Sequence, residues 1–160
     1  MTAHYRSNDV PAVPGTYVLQ LEASTAQSVT IGKRGVLDVT PGVYLYVGSA
    51  RGPGGLQARI RRHARASDKR LHWHIDYLRA KAELTAVGYA RGAERRECQW
   101  AQALRAWPPT RMPMAGFGAS DCTCSAHLFA LQTPPSPGAL QACLQASESD
   151  APPIRMITFD

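Results

Sequence analysis

A chain of 160 residues with 44% hydrophobic residues is long enough to bury one core, and it holds no apolar run near the roughly 18 residues that a membrane helix needs. Its charge of +6 is concentrated, because residues 51–111 hold 14 Lys and Arg against 5 Asp and Glu while the remainder is net negative. Such a concentration favours a polyanionic partner, since neutralised phosphates release counterions. The N-terminus lacks the basic, apolar and small-residue order of a secretory signal. Four unevenly spaced cysteines, Cys98, Cys122, Cys124 and Cys143, fit reduced thiols better than a disulfide framework, and the expected location is cytoplasmic.

Residues 1–12 show no period and read as a loose leader. Residues 15–22 alternate as a strand, with Tyr17, Leu19 and Leu21 on one face. Residues 29–31 and 36–39 flank the turn Gly32-Lys33-Arg34-Gly35 as a hairpin. Pro41-Gly42 leads into a further strand that puts Val43, Leu45 and Val47 on one side and Tyr44 and Tyr46 on the other. The first 50 residues thus read as an antiparallel meander. Gly52-Pro53-Gly54-Gly55 then breaks the strand.

From Leu56 the period is helical. Leu56, Ile60 and Ala64 form the inward stripe, Arg59 and His63 lie beside it, and Arg61, Arg62 and Arg65 point largely to solvent. A second helix is expected over 72–82, a strand over 84–90 that Gly88 weakens, and a third helix over 93–107 that Pro108-Pro109 ends. Glu97 lies one turn before Trp100 and so shares the inward-leaning side of that helix. Residues 111–125 read as a loop and 126–132 as a last strand. Pro134, Pro135 and Pro137 open a linker to a short amphipathic helix over 138–146. The organisation is an α+β domain over 1–132 with a proline-rich C-terminal extension over 133–160.

Gly15-Thr16-Tyr17 opening one strand and Tyr46-Val47-Gly48 closing another resemble the signature strands of the GIY-YIG nuclease superfamily. Ser49-Ala50, the glycine turn, Leu56-x-x-Arg59 and His63 continue the likeness, and Glu97 falls where that superfamily carries its metal-binding glutamate. More narrowly, His72-Trp73-His74-Ile75-Asp76-Tyr77-Leu78 and Gly116-Phe117-Gly118-x-Ser120-Asp121-Cys122-x-Cys124 are similar to the DUF123, or Uri-type, branch, whose members occur alone or fused to DNA-repair proteins. The resemblance implies a small antiparallel sheet with a three-stranded core flanked by helices, to which residues 27–41 add a hairpin. It implies that Glu97 holds Mg²⁺ or Mn²⁺, that Tyr17 positions or deprotonates the attacking water, and that Tyr46 orients the same network. Arg59 would stabilise charge on the phosphate, with His63 and His72 as proton-transfer or phosphate-contact groups. Ser49, Arg51, Arg62, Arg65, Lys69 and Arg70 are the expected nucleic-acid contacts. Many members use a late asparagine; here the sole asparagine is Asn8, and Ser120 or Asp121 is expected in that place.

The chemistry agrees with this set. Phosphodiester hydrolysis needs charge stabilisation, a placed water and usually a metal. Mg²⁺ keeps most of its waters, so a single carboxylate suffices. A tyrosine with an ordinary pKa of about 10 is a poor base unless nearby cations favour the phenolate, a bias that Arg59 and the metal would supply.

Other signals have plainer readings. His72 and Asp76 at i, i+4 suit a structural pair, although with His74 they also resemble metal ligands. Cys122-x-Cys124-x-x-His127 offers zinc ligand types, but a one-residue spacing is cramped for a tetrahedral site and favours a structural loop. Trp73, Trp100 and Trp107 read as core. The expected function is a monomeric, metal-dependent endonuclease acting on single-stranded, duplex or branched DNA, in repair or processing. Its rival is a non-catalytic nucleic-acid-binding module that keeps the fold and the basic face.

Overall fold

The computed structural model describes residues 3–65, 70–119, 124–146 and 152–159. Its centre is a six-stranded, mostly antiparallel sheet in the order β1-β8-β6-β2-β5-β7. The strands are β1 (Ala3–His4), β2 (Gly15–Ala23), β5 (Gly42–Ala50), β6 (Glu83–Arg91), β7 (Leu128–Leu131) and β8 (Arg155–Thr158). The hairpin of β3 (Gln27–Ile31) and β4 (Gly35–Val39) forms a separate two-stranded sheet. It is therefore not part of a continuous meander: β2 pairs directly with β5 over its whole length, and the hairpin packs on α2 (His74–Arg79).

Both faces of the sheet are covered. One face buries Tyr17, Leu19, Leu21, Tyr44 and Tyr46 with Leu56 and Ile60 of α1 (Gly55–Ala64) and with Ile75 and Leu78 of α2. The opposite face buries Val18, Val43, Leu45 and Val47 against Trp100, Ala101 and Leu104 of α3 (Glu97–Ala106) and Leu140 and Leu144 of α4 (Pro137–Gln145). Strict alternation along β5 sends the tyrosines one way and the aliphatic residues the other. This is why β5 reads as almost continuously apolar.

Three sequence expectations change. The leader is not loose, because β1 runs parallel to β8 and Tyr5 stacks on Phe159 with ring centroids 4.4 Å apart. Carbonyls at its end and just after it also cap α1: Leu56 N–H donates to Val13 O at 2.8 Å and Gln57 N–H to Pro11 O at 3.1 Å, so two otherwise orphaned helix donors are satisfied without a capping side chain. Nor does the 133–160 extension stand apart, since α4 packs on α3 and β8 pairs with β6. Finally, the helices are shorter than the periodicity suggests. The second begins at His74 rather than 72 and the third at Glu97 rather than 93.

Candidate active site

Register brings Tyr17 and Tyr46 together. Tyr17 on β2 lies opposite Gly48 on β5, and Leu19 lies opposite Tyr46, so Tyr17 and Tyr46 are diagonal neighbours on one face. Gly48 is required sterically. A Cβ there would sit 2.5 Å from the Tyr17 hydroxyl, because the phenol leans across the β5 backbone at that position. The turn before α1 then needs left-handed backbone, with φ of 82° at Gly54 and 54° at Gly55. That turn aims α1 so that Arg59 reaches the same region.

Tyr17, Tyr46, Arg59 and Glu97, from β2, β5, α1 and α3, line one cavity of about 440 Å³. Ser49, Arg51, Trp73, Arg95, Cys98, Gly118 and His127 complete much of its wall. Glu97 is the first residue of α3 and is half-buried at the cavity edge. It is the lone carboxylate among the described residues that form the lining.

Behind the cavity the side chains form a connected network. The Tyr17 hydroxyl lies 2.8 Å from His63 Nε2, and His63 is fully buried in the last turn of α1. Arg59 donates to Ser49 O at 3.2 Å and stacks over the Trp73 ring at 4.3 Å. Arg62 stacks on Trp73 at the same 4.3 Å and makes a bidentate pair with Asp76, at 2.5 and 2.8 Å. Buried Arg79 caps the end of α1 by donating to His63 O and Ala64 O, which holds the backbone that carries His63.

A family model described as DUF123, a domain of unknown function, matches residues 16–149. The chain belongs to the DUF123 family. No curated protein and no solved structure matches it.

Within this DUF123 domain the residues singled out from sequence divide. Tyr17, Tyr46, Ser49, Arg51, Arg59 and Glu97 share the cavity, and His63 stands directly behind it. His72 does not join them: it is exposed, precedes α2, and takes part through its backbone N–H, which donates to Asp76 Oδ2 at 2.8 Å. Arg62 does not point to solvent, because Asp76 and the Arg70 carbonyl occupy it. Arg65 and Arg70 are exposed and lie off the cavity lining, and Lys69 lies outside the described residues.

The His72, His74 and Asp76 set is not a metal cluster. His74 Nδ1 accepts from Gly118 N–H at 2.9 Å, while Asp76 accepts from Arg62 and from the His72 and Trp73 amides. Trp73 is not core either, since it is half-buried and forms part of the cavity wall. The expectation of reduced thiols also changes: Cys98 and Cys124 are joined by a disulfide across 26 residues, and Cys143 is free. Ser120, Asp121 and Cys122 lie outside the described residues.

Sequence reasoning missed Arg95 and the cavity position of His127. His127 is set by the backbone: its N–H donates to Phe117 O at 2.8 Å, and its carbonyl accepts from Val47 N–H at 2.9 Å, continuing the β5–β7 pairing past β7. The spacing to Cys124 was the signal for this residue, read for zinc and not for the cavity.

Electrostatics sharpen the picture. Burial pushes the Tyr17 phenol well above its ordinary value, and the neighbouring Arg59 guanidinium only partly opposes it. Burial raises Tyr46 as well, with Tyr17 adding to the rise and Arg59 opposing it. The phenolate bias expected from Arg59 is thus outweighed, and both phenols are neutral hydroxyls. Burial lowers His127, against the pull of Glu97. At Asp76 burial acts upward, but the hydrogen bonds from Arg62, His72 and Trp73 win and hold the carboxyl down at about 2. A neutral phenol on a histidine, facing three arginines and one carboxylate, is suited to a water or phosphate oxygen between them.

Proposed function

We propose that the chain is a metal-dependent endonuclease of the GIY-YIG type that hydrolyses phosphodiester bonds in DNA. The observation that carries this reading is the convergence of Tyr17, Tyr46, Arg59 and Glu97 from four separate elements on one cavity. A basic rim of Arg51, Arg59 and Arg95 suits a phosphate backbone entering it.

In this mechanism Tyr17 works as a relay. Its oxygen takes a proton from the attacking water while its own proton passes to His63 Nε2, 2.8 Å away, leaving an imidazolium behind the phenol. A neutral, buried tyrosine is the right starting state for such a relay. Arg59 stabilises the charge that builds on the phosphate oxygens, and Tyr46 holds the water on the side facing Tyr17. The donor set fits a divalent ion of the Mg²⁺ class: one carboxylate, Glu97, with the remaining positions left to water and phosphate. When bound, that ion would lower the charge at the scissile phosphate and its leaving oxygen.

The test is a cleavage panel of single-stranded, duplex and branched DNA with Mg²⁺ or Mn²⁺. Wild type cuts at least one substrate only with metal, and Glu97→Ala keeps salt-sensitive binding and loses cleavage. Cleavage by Glu97→Ala at the wild-type rate would remove Glu97 from the mechanism. The second reading is a non-catalytic nucleic-acid-binding module. It is favoured by the balance of three guanidiniums against one carboxylate at the cavity, which also suits holding a backbone without cutting it. That module would bind the same panel with salt-sensitive affinity and give no metal-dependent product.

A further inference from the structure

The Cys98, Cys124 and His127 cluster has no role in the proposed hydrolysis, yet it is built more elaborately than a disulfide requires. The three ligand atoms, two Sγ and one imidazole nitrogen, all lie within 4.8 Å of one another. We infer that the reduced chain binds one Zn²⁺ through Cys98 Sγ, Cys124 Sγ and His127, and that the Cys98–Cys124 disulfide is the metal-free alternative of the same site.

Geometry supports both states. The two Cα atoms are 5.9 Å apart, close enough for a disulfide. With Zn–S bonds of about 2.3 Å and tetrahedral angles, two thiolates on one ion stand about 3.8 Å apart, inside the 4.8 Å that spans the three ligand atoms. His127 is buried and its backbone is held at both its N–H and its carbonyl, so the main chain that carries the third ligand is fixed beside the two sulfurs. Cys98 and Cys124 are half-buried, and Cys98 and His127 border the cavity, which gives an ion a way in.

Ligand chemistry separates this site from Glu97 next door. Two thiolates and an imidazole select Zn²⁺ over Mg²⁺ or Mn²⁺, whereas a lone carboxylate with waters does the reverse. The steps balance simply. A phosphine reductant and one water open the S–S bond, the phosphine ends as its oxide, and each sulfur ends as a thiol. Zn²⁺ then displaces the two thiol protons.

The experiment loads the full chain with ZnCl₂ after phosphine reduction, removes free metal by desalting, and measures zinc per chain by plasma mass spectrometry. One zinc per reduced wild-type chain is expected, and none on the oxidised chain. Cys124→Ser and His127→Ala should lose zinc, while Cys143→Ser and Glu97→Gln keep it. Retention in Glu97→Gln separates this site from the proposed catalytic metal, whatever that variant does to cleavage. A reduced wild type that keeps no zinc would overturn the inference, as would full retention in Cys124→Ser or His127→Ala. Because those variants could fail to fold, Co²⁺ loading of reduced wild type is the second measurement. A thiolate-to-cobalt charge-transfer band supports the site, and its absence removes it.

Discussion

The two faces of the central sheet make opposite use of the same strands. The face under α3 and α4 is closed by Trp100, Leu104, Leu140 and Leu144 on Val18, Leu45 and Val47, an apolar contact throughout. The face under α1 and α2 is also buried, yet it carries Tyr17 and Tyr46, which line one cavity, with His63 of α1 behind Tyr17. Burial by itself therefore does not separate core from site. What separates them is whether a buried polar atom has been given a charged or titratable neighbour.

That contrast can be broken experimentally. The largest expected effect is at Glu97: Glu97→Ala should lower metal-dependent cleavage by about 10³-fold with an unchanged melting temperature, read by gel assay and by thermal unfolding. On the apolar face the pattern reverses. Leu104→Ala, fully buried in wild type, should cost about 3 kcal/mol in denaturant unfolding while cleavage per folded molecule stays the same.

Tyr17→Phe removes the relay hydroxyl but keeps the ring, so a drop of about 10²-fold in single-turnover rate is expected, with about 1 kcal/mol of stability lost with the buried bond to His63. A rate equal to wild type would return Tyr17 to the role of sheet aromatic. Asp76 tests the frame behind the site. Its folded-state value of about 2 lies below the ordinary 3.8, so its contribution, about 2 kcal/mol, is complete above pH 4 and is lost as the pH falls towards 2. Asp76→Asn should flatten the acid limb of the stability curve measured by urea unfolding. The smallest effect belongs to His72: it is exposed and off the cavity, so His72→Ala should change cleavage by less than about twofold and stability by less than about 0.5 kcal/mol.

Much of this was legible in the residues. Alternation of Tyr44 and Tyr46 with Val43, Leu45 and Val47 already assigned the two faces, since period 2 is a local property. The helical period reaches His63 as well: Leu56, Ile60 and His63 stand at i, i+4 and i+7, which puts His63 in the buried stripe where the structure has it. Long-range pairings left no such trace. A two-residue β1 beside a four-residue β8 at the other end of the chain has no period to read. Cys98 and Cys124 are 26 residues apart, and nothing local predicts that a loop returns to the start of α3. Arg62 looked solvated because its helix position is outward, and only the return of α2 brings Asp76 to it.

The clasp of Trp73 between Arg59 and Arg62, each 4.3 Å from the ring, has an optical consequence. Trp100 and Trp107 belong to the cluster on the far side of the sheet, and neither lines the cavity. An incoming anion that draws Arg59 off the indole should shift the fluorescence of Trp73, giving the molecule a built-in reporter of occupancy that requires no label.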